Sequence, residues 1–268
     1  MLFSEVEMRG NRYENQFEKV CSIIKFPNSY FDFPSSLIAF AESLSSSNLF
    51  IEGGCLFRRR NRILTLISFC GNPSETLSEL SKGFKIKVLS FCNKDFDGPK
   101  KKVGWDYVAD RGWPGDEIRN RKRMRFPIRH CEKVYTLDYD VKEPEVLDCY
   151  EEWFAGAKER HFMVRRGHHM RYIQRYFGGL TTNVRLLGFR ESTGRLYGIA
   201  GFEFYNGRAQ LTLMKHRFGD NNFSRFFWFQ TMAEIFKGNP ERVFAGSSAD
   251  KLKAEVGMYR EAAYKIKL

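Results

Sequence analysis

Apolar and polar positions alternate most regularly between residues 184 and 216. There VRLLGFRE, LYGIAGFEFY and RAQLTLMKH are separated by short polar turns carrying Gly194 and Gly207. A period of two broken by glycine turns predicts three antiparallel strands. The polar break Gly219-Asp220-Asn221-Asn222 follows, then FSRFFWFQTMAEIFK, whose length and apolar spacing predict a helix over about 223–237. Upstream, Ser35 and Ser36 precede Leu37, Ile38, Phe40, Ala41 and Leu44, which predicts a capped helix near 35–46. NLFIEGGCLFRRRNRILTLISFCG reads as a hairpin with its turn around Arg58–Arg62. SETLSELSKGF reads as a helix capped by Ser74 and stopped at Gly83, and KIKVLSF as a strand. Further helices are predicted near 143–159 and 168–177, and a strand near 242–246.

Both halves of the chain therefore show helices, a strand hairpin, a helix and a strand in the same order. The fold class expected is α/β (α+β), with two tandem units of mixed, mostly antiparallel sheet flanked by helices. Residues 1–110 would form the first unit, 111–142 a basic connecting segment and 143–268 the second unit.

At 268 residues, with 43% hydrophobic and 16% aromatic side chains, the chain has ample material for a folded core. The net charge of +12 adds an expectation of polyanionic partners: tRNA, DNA or a phosphate-bearing cofactor. Cys21, Cys55, Cys70, Cys92, Cys131 and Cys149 show no CxxC and no metal-finger spacing. They read as reduced thiols of a cytoplasmic protein. No apolar run approaches the roughly 20 residues of a membrane helix, so no membrane partner is expected.

The segment DYVADRGWPGDEIRNRKRMRF resembles the central signature of tandem GNAT-fold proteins, the Fem-type aminoacyltransferases and the transferase domain of lysyl-phosphatidylglycerol synthases. The matching residues are Asp106, Tyr107 and Val108, then Arg119, Arg121, Lys122, Arg123 and Arg125. FAGSSADKLKAEVG resembles the closing Gly and Leu-Lys elements of those families through Gly246, Leu252, Lys253 and Gly257. The resemblance implies an acyl- or aminoacyl-transferase that moves an activated acyl group onto an amine. Its donor would be acyl-CoA or aminoacyl-tRNA. Base-modifying phage enzymes of GNAT type make a nucleic-acid base a plausible acceptor. A catalytically inactive nucleic-acid-binding module is the alternative. The pyrophosphate loop of simple acetyltransferases has two small residues, whereas Arg217-Phe218-Gly219-Asp220-Asn221-Asn222 has one glycine.

Candidate roles follow. Glu203, Asp220 and His216 are candidate bases for the attacking amine. Arg217, Gly219, Asn221, Asn222 and Lys253 are the candidate donor-binding group, with Lys253 placed by the resemblance. Arg119, Arg121, Lys122, Arg123 and Arg125, with Arg165, Arg166 and Arg171, are candidate phosphate contacts; a solvated helix face is the competing reading. His161, His168 and His169 do not read as a metal site, because adjacent helical residues point about 100° apart. Asp138, Asp140 and Glu143 read as charges at a helix start rather than cation ligands. Trp228 reads as core.

Overall fold

The computed structural model describes residues 48–69, 72–88, 91–92, 99–157, 183–246 and 250–266, and isolated helical positions among 18–22, 33–38 and 170–177. The chain forms two compact units. One comprises Met1–Trp105, Arg171–Thr181 and Ala262–Leu268; the other comprises Asp106–Met170 and Thr182–Glu261. The class is mixed α and β, as the periodicity implies.

The first unit has a sheet in the order β1 (Asn48–Glu52), β2 (Cys55–Arg60), β3 (Ile63–Phe69) and β4 (Lys85–Val88). Helix α1 (Ser74–Ser81) connects the parallel pair β3 and β4. Arg58 to Arg60 lie inside β2 rather than in the turn expected there. Asn61, at φ 53°, supplies the left-handed residue of the turn, and Arg59 and Arg60 before it are exposed. Gly53 and Gly54, both at positive φ, make a second tight turn, between β1 and β2. Pro73, not Ser74, occupies the helix cap; the Asn72 side chain accepts from the Ser74 amide instead. Cys55, Phe57, Leu64, Leu66, Leu77 and Val88 form this core, with Tyr264 packed on it. β5 (Phe91–Cys92) pairs with the end of the last strand, β12 (Tyr259–Ile266).

Strand β6 (Lys100–Asp110) enters the second unit at Asp106 and leads through α2 (Gly115–Asn120) and α3 (Lys122–Val134) into β7 (Tyr135–Asp138) and α4 (Glu143–Ala157). Three strands follow: β8 (Val184–Glu191), β9 (Leu196–Tyr205) and β10 (Arg208–His216). Helix α5 (Phe223–Phe236), strand β11 (Arg242–Phe244) and helix α6 (Asp250–Glu255) complete it. The strand order is β7-β8-β9-β10-β11-β6-β12. The three central strands and α5 fall where the alternation and the aromatic run place them. β11 ends at Phe244, short of the expected 246, because the next residues leave β10.

The core of this unit lies between the sheet, α3 and α5. Met124, Ile128 and Cys131 of α3 meet Phe226, Phe227, Phe229, Met232 and Ile235 of α5. Helix α5 is buried nearly all round, so its aromatic residues, Trp228 included, are packing residues. Among the described residues, no helix is long and apolar enough to cross a membrane.

Candidate active site at the open end of the central strand

Two backbone irregularities build the site. The first is a bulge in β10: Leu211 faces Phe202 on β9 and Leu213 faces Gly201, leaving Thr212 as an extra residue. Such an insertion reverses which residues point to which face. Ala209 and Leu211 belong to the core beneath α5. Beyond the bulge, Met214 packs on that core and His216 contacts rings of α5, so the inward set changes from odd to even positions. Gly201 makes room for the bulge. A Cβ there would lie 2.9 Å from Thr212 Oγ1 and 3.1 Å from Leu213 Cβ.

The second irregularity is a fork. β10 and β11 run parallel from Arg208 beside Arg242 to Gln210 beside Phe244. Past Phe244 the chain stays with β6: the Ala245 amide donates to the Tyr107 carbonyl at 2.9 Å, and the Tyr107 amide donates to the Gly246 carbonyl at 3.2 Å. β10 continues alone on that side to His216, so the sheet opens between them. Lys253 of α6 braces the β6 side of this fork. Its ammonium donates to the Ala245 and Gly246 carbonyls, both at 2.6 Å, between the rings of Tyr107 and Trp228. The side chain is fully buried, whereas helix periodicity alone allows it a solvated position.

His216 sits at the end of β10 among the rings of Phe218, Phe223 and Phe227. It is half-buried, although strict strand alternation and its charged neighbours suggest a solvent-facing residue; the bulge turns it inward. Its Nδ1 lies 2.7 Å from the Arg217 carbonyl and its Nε2 lies 3.0 Å from Ser224 Oγ. A carbonyl only accepts, so Nδ1 carries the proton, and Nε2 accepts from the Ser224 hydroxyl. Burial lowers the imidazole pKa below its ordinary 6.5, partly offset by the bond to the Arg217 carbonyl. The ring is therefore neutral at physiological pH and holds a serine hydroxyl in the first turn of α5. Ser224 carries no motif, and only the bulge and its geometry reveal it.

The other expected residues fall elsewhere. Glu203 is fully buried opposite Gln210, on the sheet face away from His216. Asp220 is the hub of a polar cluster. Its Oδ2 accepts from the Tyr135 hydroxyl at 3.2 Å and the Cys131 thiol at 3.8 Å, and its Oδ1 accepts from the Asn222 amide at 2.8 Å. Burial first, and then the nearby Asp220 carboxylate, pushes the Cys131 thiol up to about 12. Tyr135 is raised well above an ordinary phenol, by burial first and then by Tyr197 and Asp220. The Asp220 amide donates to the Tyr197 hydroxyl at 2.9 Å. Two loop amides are thus satisfied within the protein. Gly219 holds a positive φ of 133°, and Asn221 is exposed beside it.

Arg217 points inward. It donates to the Leu196 carbonyl at 2.7 Å and pairs with Asp148, at 2.6 Å, and Glu152 of α4. Lys215 shares that face, its ammonium 4.0 Å above the Trp153 ring, and burial lowers its pKa to about 8.

On α3, Lys122, Arg123 and Arg125 are exposed, while Arg119 of α2 is paired with Glu132 at 2.7 Å and Arg121, between the two helices, donates to the Glu255 carbonyl at 3.5 Å. Arg165, Arg166, Arg171, His161, His168 and His169 lie outside the described residues. Asp138 and Glu145 both bind Arg190, and Asp140 binds Lys142. Among the described residues, no group of three or more His, Cys, Asp or Glu is arranged to hold a metal ion.

No known protein family matches the sequence, and no curated protein does. Solved structures do match. FemX superposes with a TM-score of 0.64 at 12% identity, over 94% of this chain and 96% of that one. L-PGS from Bacillus licheniformis gives 0.61 at 11%, over 94% and 90%. The C-terminal domain of a putative lysylphosphatidylglycerol synthetase from Agrobacterium fabrum gives 0.59 at 11%, over 94% and 91%. The chain has the Fem and L-PGS fold. The likeness expected from the DYV and Leu-Lys segments thus holds for the whole fold, and in this Fem-like frame those segments are β6 and α6. Identities of this size establish the fold alone.

Proposed function

We propose that the protein transfers an activated acyl or aminoacyl group onto an amine, using the open end of β10 as its reaction centre. The observation that carries this reading is the His216–Ser224 pair beside the fork in a Fem-like fold. An amine that donates to Ser224 Oγ can pass its proton through the hydroxyl to Nε2, which His216 is neutral enough to accept. The donor is already activated, so orientation and proton removal are the main demands on the protein.

Of the two donors, aminoacyl-tRNA fits better than acyl-CoA. The amides of Asp220 and Asn222 are occupied, Arg217 is turned into α4, and the loop carries the Asp220 carboxylate, which would repel an anionic pyrophosphate. The exposed cations of α3 and the +12 charge suit tRNA, and an amine-bearing nucleic-acid base remains the proposed acceptor class. The test supplies charged tRNA or acetyl-CoA with amine-bearing nucleosides and polynucleotides, and reads transfer by mass spectrometry. Transfer from charged tRNA, lost in His216→Ala, is the expected result. Transfer from acetyl-CoA alone would reverse the choice of donor. The engaged loop also favours a second reading, a catalytically inactive nucleic-acid-binding module, which salt-sensitive binding without transfer from either donor would establish.

A further inference from the structure

Helix α3 has two unlike faces. Met124, Pro127, Ile128 and Cys131 are buried in the core, spaced as one helical stripe. On the outer side Phe126 is 65% exposed, its ring stacked on that of His130 at 5.7 Å and 12° between planes. A large apolar side chain left in water forgoes the gain that covering it would bring. Lys122, Arg123, Arg125 and Arg129 surround the pair, all exposed, and among the described residues none has a carboxylate partner. The first turn of α3 contains no acidic residue, so Lys122, Arg123 and Arg125 face the positive end of the helix dipole. Each such cation is unfavourable there until an anion is present.

We propose that this face of α3 binds unpaired nucleotides: a base stacks on the Phe126–His130 pair while Lys122, Arg123, Arg125 and Arg129 hold the flanking phosphates. Flat rings with flexible cations on both sides match the alternating chemistry of a single strand, where every base offers a π-face and every linkage a charge. A paired duplex hides those faces and would use the cations alone. An anionic membrane would also attract the charge, but it needs a continuous apolar stripe to enter. The helical neighbours of Phe126 on this side are Lys122, Arg123, Arg129 and His130, so a single aromatic residue stands among polar ones. This inference rests on the nucleic-acid part of the proposed function, not on the transfer reaction.

The experiment is fluorescence anisotropy of the full chain with a labelled single-stranded oligonucleotide, the same strand lacking bases, a duplex, and vesicles containing phosphatidylglycerol. Wild type should prefer the base-bearing strand, and Phe126→Ala should weaken that binding roughly ten-fold without changing the salt slope. Arg123→Ala with Arg125→Ala should weaken all polyanions and lower the slope, by about 0.7 for each phosphate no longer neutralised. Phe126 is exposed, so its replacement leaves folding intact, and an unchanged melting curve verifies this. Equal binding of strands with and without bases, or no effect of Phe126→Ala, would overturn the stacking platform. Stronger, Phe126-dependent binding to vesicles would assign the face to a lipid surface instead. A protein that binds strands this way but transfers nothing would keep this inference and refute the transfer reading.

Discussion

Among single residues, Lys253 and His216 have the sharpest consequences. Lys253 donates to the buried Ala245 carbonyl and shares the Gly246 carbonyl with the Tyr107 amide, so Lys253→Met removes the ammonium bond to Ala245 and one of two bonds to Gly246. Urea unfolding should show a loss of about 1–3 kcal/mol, larger than for an exposed lysine such as Lys122. His216 has a lowered folded pKa, so the unfolded chain takes up the proton first. Its neutral form contributes fully above pH 6.5, and stability falls as pH drops below that value. Wild type should therefore lose more stability on acidification than His216→Gln. The acid limb of any transfer rate should lie below pH 6.5 and vanish in that variant. Lys215 offers a chemical check on the opposite face. With a pKa of about 8, it should acylate with an amine-reactive ester near pH 8 ahead of the ordinary surface lysines, as peptide mapping would show.

Among elements, the bulge in β10 decides what strand periodicity could reveal. Alternation locates β8, β9 and β10 and the loop after them, and it separates Glu203 from Phe202 and Phe204. It cannot register one unpaired residue, so everything past Thr212 is assigned to the wrong face. That is why His216 reads as solvent-facing in the sequence and Ser224 carries no signal. Gly201 of β9 is the trace the bulge leaves in the sequence, since a side chain there would meet Thr212 and Leu213. Gly201→Ala should destabilise the protein by about 1–3 kcal/mol through overpacking and should shift the acid limb by displacing His216. Gly104→Ala, whose Cβ would meet nothing, should be silent in both measurements. Lys253 was legible only through the Leu-Lys resemblance, because helical spacing does not show that the strand end at Ala245 and Gly246 bends over it.

On the scale of the whole molecule, order along the chain and order in space part company. The first compact unit includes Ala262–Leu268, which carries the end of β12, and Tyr264 packs onto the core of Cys55, Phe57 and Leu64. In a growing chain those residues leave the ribosome after every other part of both units. Domains usually close as soon as their sequence has emerged, earliest first. Here the first unit must wait for Ala262–Leu268, while the second unit, which extends to Glu261, has all its parts sooner. Chains halted before Ala262 should therefore hold a protease-resistant second unit behind a cleavable amino-terminal region, as pulse proteolysis of stalled translation products would record.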